Sequence, residues 1–143
     1  MAEPMGSGSS GYNIRGTRGA RDAGYAGGAD HQHALAENAG LLQSAYPMHE
    51  GYFGQKSGTS RVRRIYSDEP LATARDFYRR ASYGGVERSA AGGPRITNMA
   101  DGTTVSFREA SRDGSPVVEI HPPAGIDTGG IKYQKIHFMR NGE

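Results

Sequence analysis

Cysteine is missing altogether from this sequence of 143 residues, and so is tryptophan. Without cysteine there are no disulfide staples, no thiolate metal sites and no cysteine nucleophile. The compartment stays open, because a cysteine-free domain suits reducing and oxidising surroundings equally. No apolar run approaches the length that crosses a bilayer. Residues 1–20 contain no hydrophobic stretch of the signal-peptide kind, so no secretory leader is expected there. Core-forming residues are scarce as well: 35% of the chain is hydrophobic and 22 residues are glycine. Much of that glycine lies before residue 60, which leaves material for one modest packed domain. A large charge of either sign is also lacking. A net charge of +2 and a pI near 9.0 are compatible with a nucleic-acid partner without arguing strongly for one.

Residues 1–29 are rich in Gly, Ser, Ala and Arg, with isolated tyrosines and no period of 3.6 or 2.0, which suggests a flexible lead-in. Gly-x-Gly patterns within it have no strand before them, so a dinucleotide fold is not supported. From Asp30 to Tyr46 the pattern is weakly helical, with Leu35, Ala39 and Leu42 on one face and Pro47 as the stop. Met48 to Ser60 reads as loop. Arg61–Tyr66 reads as a short strand with Val62 and Ile65 touching the core. A clearer helix follows: Ser67 or Asp68 as cap, Pro70 in the first turn, and Leu71, Ala74, Phe77, Tyr78 and Ala81 as an apolar stripe. Gly84-Gly85 ends it.

Beyond the small-residue stretch Ser89–Gly93 the period changes to two. Strands are predicted to begin at Ile96 and to span Thr103–Arg108, Pro116–His121 and Ile131–Phe138, separated by turn clusters at 100–102 and 111–115 and by a Pro/Gly-rich loop. The expected fold is α+β: a flexible or weakly helical lead-in over residues 1–60, then a compact unit over 61–143. In that unit one helix packs on a C-terminal antiparallel β-meander.

Alternation sorts the meander into two faces. Val105, Phe107, Val118, Ile120, Ile136 and Phe138 belong to a buried face beneath the helix. Arg108, Glu119, His121, Tyr133, Lys135 and His137 collect on the other. Metal-independent RNA cleavage needs a base for the 2′-OH proton, an acid for the leaving 5′ oxygen and cations for the charge on phosphorus. Glu119 or His137 is a candidate base, His137 a candidate acid, and Arg108 and Lys135 a cationic clamp. Tyr133 is placed to stack a base or donate to phosphate. The competing reading is a solvated sheet face with ordinary Arg108–Glu119 and Glu119–Lys135 cross-strand ion pairs. Arg61, Arg63 and Arg64 with Arg75, Arg79 and Arg80 suggest either a phosphate-guiding patch or a solubilising helix face. Arg79 and Arg80 are therefore taken as candidate substrate contacts. The pair His31-x-His33 reads as solvated, and no metal or cofactor is called for.

The run DGTTVSFREASRDGSPVVEIH, followed by GGIKYQKIHF, resembles the C-terminal toxin domains of bacterial polymorphic toxin systems. These are the variable tips of contact-dependent inhibition, Rhs and LXG-type proteins. The pieces that carry the resemblance are the Asp101-Gly102-Thr103 turn, the Phe107-Arg108 strand end, the Asp113-Gly114-Ser115-Pro116 turn and the Lys135-Ile136-His137-Phe138 ending. The resemblance covers roughly Asp76 to Phe138. It implies a small nuclease similar to the barnase, EndoU, colicin and RelE group, acting in a target cell's cytoplasm after delivery as part of a larger toxin. It also implies an RNA substrate, with DNA as the alternative, and a cognate immunity protein in the producing cell. Arg108, Lys135 and His137 are the positions the resemblance carries over, whereas Glu119 enters from the alternation alone. A metal-dependent DNase using Glu119, His121 and His137, and a non-catalytic binding module, remain alternative readings.

Overall fold

The computed structural model describes residues 31–89 and 92–143, so the flexible lead-in expected over residues 1–29 and the Asp30 start of the helical pattern lie outside the described residues. One compact unit runs from His33 to Glu143. Residues ahead of the boundary expected at 61 thus pack with those after it. Leu35, Leu42 and Phe53 are the reason, since all three are completely buried in the same core as the sheet.

The fold is α+β. A 3-10 turn at Leu35–Asn38 runs into the short helix α1 (Ala39–Gln43), and the long helix α2 spans Pro70–Ser82. The described strands are β1 (Met48–His49), β2 (Tyr52–Phe53), β3 (Gln55–Ser57), β4 (Thr59–Ser67) and β5 (Val86–Ser89), followed by β6 (Arg95–Asn98), β7 (Thr104–Arg108), β8 (Val117–His121) and β9 (Gln134–Arg140). Strands β1 and β2 form a small ribbon, and the other seven form one sheet in the order β3-β4-β9-β8-β7-β6-β5.

Neighbours are antiparallel except for β9 and β4, which run parallel. A parallel pair needs a long crossover. Here α2 carries the chain away from β4, and the meander β5 to β9 brings it back. The helix packs against β4, β7, β8 and β9. Pro70 occupies the first turn as expected, where its missing N–H is no loss, but the N-cap is Glu69, without a side-chain capping bond, rather than Ser67 or Asp68. Ser67 Oγ accepts from the Glu69 N–H at 3.0 Å and lies 2.6 Å from Thr73 Oγ1.

Alternation placed the core face correctly. Val105, Phe107, Val118, Ile120, Ile136 and Phe138 are all buried beneath α2, which contributes Ala74, Phe77, Tyr78 and Ala81. Phe77 is the hub, with its ring centroid 5.1 Å from Tyr46, 5.2 Å from Phe53 and 5.7 Å from Phe138.

Two buried polar side chains bring the earlier part of the chain into this core. Asn38 donates to the carbonyls of Ala81 and Tyr83 at 3.0 and 2.7 Å, capping α2 from outside. Gln134 accepts from the Phe53 N–H at 2.9 Å and donates to the carbonyls of Gly51 and Lys132 at 2.9 and 2.7 Å. These bonds make 48–57 a set of short strands where the sequence suggested loop. Gly54 fits because its φ is +85° and a Cβ there would meet the Arg64 carbonyl.

One other expectation shifts, and one strand was not anticipated. The short strand predicted at Arg61–Tyr66 extends over Thr59–Ser67, and Val62 lies opposite Lys135 on the polar side while Ile65 packs on the core. Val86–Ser89 forms the edge strand β5, paired with β6, because Gly85 releases the chain from α2 directly against Thr97 and Met99.

Candidate active site on the open sheet face

Strand register decides which polar side chains are neighbours. Strand β8 is the middle of three, with β7 on one side and β9 on the other. Arg108 pairs with Val117, which pairs with His137, which pairs with Arg64 on β4. One rung along, Ser106 pairs with Glu119, Glu119 with Lys135, and Lys135 with Val62. The side chains of Arg64, Arg108, Glu119, Lys135 and His137 thus share the face that α2 leaves uncovered. Glu119 and His137 are diagonal neighbours, roughly 7–8 Å apart by sheet geometry, with Lys135 beside both.

Arg108 and Lys135 are exposed, and neither makes an ion pair among the described residues. The cross-strand pairs that would have made this an ordinary salt-bridged surface do not form. Glu119 instead accepts a hydrogen bond from the Tyr133 hydroxyl at 3.0 Å. The carboxylate holds that phenol above its ordinary pKa, through the hydrogen bond first and its charge second, while Arg61 opposes the shift. The Tyr133 ring is stacked on His121 at 4.4 Å between centroids, and the Arg61 guanidinium lies 4.7 Å from the same ring. Cation, phenol and imidazole make a short stack at one end of the face.

His137 sits at the other end, half-buried against the 111–115 turn. Its Nδ1 lies 2.8 Å from Ser115 Oγ, and Ser115 Oγ lies 2.6 Å from Asp113 Oδ1. Burial pushes the His137 imidazole below its ordinary pKa. Asp113 opposes that shift, and the charges of Lys135 and Arg64 add to it. The ring is therefore neutral at neutral pH. Asp113 itself is held well below the usual carboxylate range, chiefly by hydrogen bonds from the Ser111 and Ser115 side chains and the Ser115 backbone.

Arg79 and Arg80 are not part of this face. They lie on α2, against the opposite side of the sheet, and both bind Asp76, at 2.9 and 2.8 Å. Arg80 also donates to the Leu41 carbonyl. The patch imagined from six arginines is divided between the two sides of the sheet. Arg63 is buried on the core side, 3.8 Å from the Tyr52 ring centroid, Arg75 pairs with Glu109, and Arg64 stands opposite His137. Glu119, His121 and His137, the trio of the metal-dependent alternative, do not gather as a ligand group among the described residues.

Sequence reasoning named Arg64 only within the six-arginine patch, and it missed Asp113 and Ser115 as members of the site. Asp113 and Ser115 were legible only as turn residues, and their contact with His137 depends on a pairing 22 positions distant in the chain. Two hollows flank the face. One of about 510 Å³ lies beside Arg108 and Arg95, and one of about 440 Å³ is lined by Asp113, Ser115 and Phe138. Neither is lined by Glu119, Lys135 or His137. Compared with protein-family models, curated proteins and solved structures, the chain finds no match.

Proposed function

We propose that this chain is a toxin nuclease, a metal-independent endoribonuclease that cleaves RNA by attack of the 2′-OH on the adjacent phosphate. The surroundings of His137 carry the reading. A neutral, half-buried imidazole stands on an open sheet face with Lys135 and Arg64 beside it and Arg108 across Val117. A neutral ring can take a proton, neighbouring cations favour an anionic substrate, and an open face admits a polymer.

In this reading His137 takes the 2′-OH proton and the 2′ oxygen bonds to phosphorus. The bond from phosphorus to the 5′ oxygen breaks, and the Lys135 ammonium protonates the departing oxygen. The products are a 2′,3′-cyclic phosphate and a 5′-hydroxyl. Arg64 and Arg108 stabilise the charge on the pentacoordinate phosphorus, and the Arg61–Tyr133–His121 stack supports a flanking base. The resemblance to polymorphic toxin tips adds delivery within a larger protein, action in the target-cell cytoplasm and a cognate immunity protein as partner.

The test is incubation of the purified chain with tRNA, rRNA and DNA in the presence of EDTA. RNA fragments ending in 2′,3′-cyclic phosphate are expected, together with loss of cleavage in His137→Ala. In cells, expression without an immunity protein should arrest growth, and His137→Ala should relieve the arrest. Cleavage that requires a divalent metal, or that leaves free 3′-hydroxyls, would exclude this chemistry. The Arg61–Tyr133–His121 stack also favours a second reading, a binding module without chemistry. RNA that is bound yet intact after hours, with and without metal, would establish that one instead.

A further inference from the structure

We infer that Asp113 and Ser115 form a positioning relay that keeps the proton of neutral His137 on Nδ1 and leaves Nε2 as the ring's basic atom. The role in cleavage rests on the nuclease reading above, whereas the proton placement rests on the hydrogen bonds alone.

Counting protons leads there. Ionised Asp113 can only accept. Its Oδ1 lies 2.6 Å from Ser111 Oγ, 3.0 Å from the Ser115 N–H and 2.6 Å from Ser115 Oγ. Ser115 has one hydroxyl proton, and the contact to Asp113 requires it, because two oxygens 2.6 Å apart without a proton between them would repel. Towards His137 the hydroxyl oxygen is then an acceptor, so the 2.8 Å contact needs a proton on Nδ1. Ser111 lies 3.1 Å from Ser115 Oγ, but its own hydroxyl proton is directed to Asp113. Nε2 makes no hydrogen bond among the described residues and holds the free lone pair. A neutral imidazole in water favours the opposite tautomer, and the bond at one nitrogen decides which form a protein holds.

The relay is held by the turn that contains it. The Ser111 N–H donates to the Ser115 carbonyl at 2.8 Å and the Gly114 N–H to the Ser111 carbonyl at 2.9 Å. Ser115 is 8% exposed and its hydroxyl is engaged on both sides, so it is a poor nucleophile and a good spacer. When Nε2 takes the substrate proton, the imidazolium keeps its Nδ1–H bond to Ser115, and the Asp113 carboxylate stabilises the new charge through that hydroxyl. Asp113 and Ser115 touch no substrate; they act through His137.

The experiment is nitrogen-15 NMR of the full chain labelled at histidine, recorded above neutral pH, in which couplings to the two ring C–H protons identify the unprotonated nitrogen. The unaltered protein should show Nε2 unprotonated at His137, and an unprotonated Nδ1 would overturn the relay. Ser115→Ala leaves the Asp113 bonds to Ser111 Oγ and to the backbone of residue 115 in place. It should move the proton to Nε2 and lower RNA cleavage on the order of 10²-fold; an unchanged tautomer would overturn the proposal. Asp113→Asn retains the Oδ1 acceptor and should keep the tautomer while lowering cleavage roughly tenfold, because the charge that stabilises the imidazolium is removed. If the unaltered chain cleaves no RNA, the nuclease reading fails, and the NMR result still decides the relay.

Discussion

Glu119 and Lys135 face each other directly across the β8–β9 ladder, yet the carboxylate is engaged by the Tyr133 hydroxyl, not by the lysine. A carboxylate opposite a lysine ordinarily offers an ion pair, so Lys135 remains available to an anionic substrate. Removing its charge should therefore be costly: Lys135→Ala is expected to lower kcat/KM for RNA on the order of 10²-fold. Glu119→Gln keeps an acceptor for Tyr133 and should cost only a few-fold. Steady-state cleavage of a short RNA by both variants checks the contrast. Equal losses would make Glu119 a proton-transfer group in its own right.

The pH dependence follows from His137. Burial holds its pKa below the ordinary 6.5, with Lys135 and Arg64 adding to the shift and Asp113 opposing it. A base must be unprotonated, so kcat/KM should rise with pH along an acid limb whose midpoint lies below 6.5. That parameter reports the free enzyme. The stability consequence has the same sign. Between the folded pKa and 6.5 the unfolded chain binds the extra proton, so stability rises with pH through that window and is fully present above it. Urea unfolding across the window should lose that part of its pH dependence in His137→Gln. An acid limb centred above 6.5 would contradict the assignment.

The meander and its two faces were legible because a period of two assigns every second side chain to the core, and Val105, Phe107, Val118, Ile120, Ile136 and Phe138 obey it without a bulge. The same rule gathered Arg108, Glu119, Lys135 and His137. What the sequence hid was held by distant side-chain pairing. Gln134 recruits Gly51 and Phe53, Asn38 recruits the end of α2, and Ser115 meets His137 because β8 and β9 are neighbours. None of these contacts leaves a periodic trace, so residues 48–57 looked like loop and Ser115 like a turn residue. Arg79 and Arg80 were misleading for a related reason, since a helix wheel separates apolar from polar but does not say which side of the sheet the polar stripe reaches.

That placement has a direct consequence. Asp76 binds Arg79, Arg80 and Tyr46 on the side of the sheet opposite His137. Although its burial opposes ionisation, the bonds from Tyr46 and Arg80 and the charges of both arginines lower its pKa. Arg79→Ala and Arg80→Ala should each leave RNA cleavage within about twofold, the scatter expected of substitutions remote from a site. Asp76→Ala should destabilise the fold by about 1–3 kcal/mol through the partners it strands, again without changing kcat/KM of the folded protein. Chemical unfolding alongside cleavage assays separates the two effects. A tenfold loss of cleavage in Arg79→Ala, in protein that remains folded, would return α2 to the substrate path.

Gln134 offers the sharpest test of how the early chain joins the sheet. It is completely buried on the core side of β9 and satisfies the Phe53 N–H together with the carbonyls of Gly51 and Lys132. Replacing it with alanine deletes all three bonds at once and strands the Phe53 donor in the core. A loss of roughly 3 kcal/mol is expected, since a buried group left unsatisfied costs about 1–3 kcal/mol and the cavity adds to it. Gln134→Glu would keep the acceptor for Phe53 while placing a carboxylate against two carbonyls, and should be at least as damaging. The urea midpoint measures the loss, and hydrogen exchange at the Phe53 amide locates it. If Gln134→Ala left both unchanged, the attachment of residues 48–57 would depend on Phe53 and Met48 packing rather than on this amide.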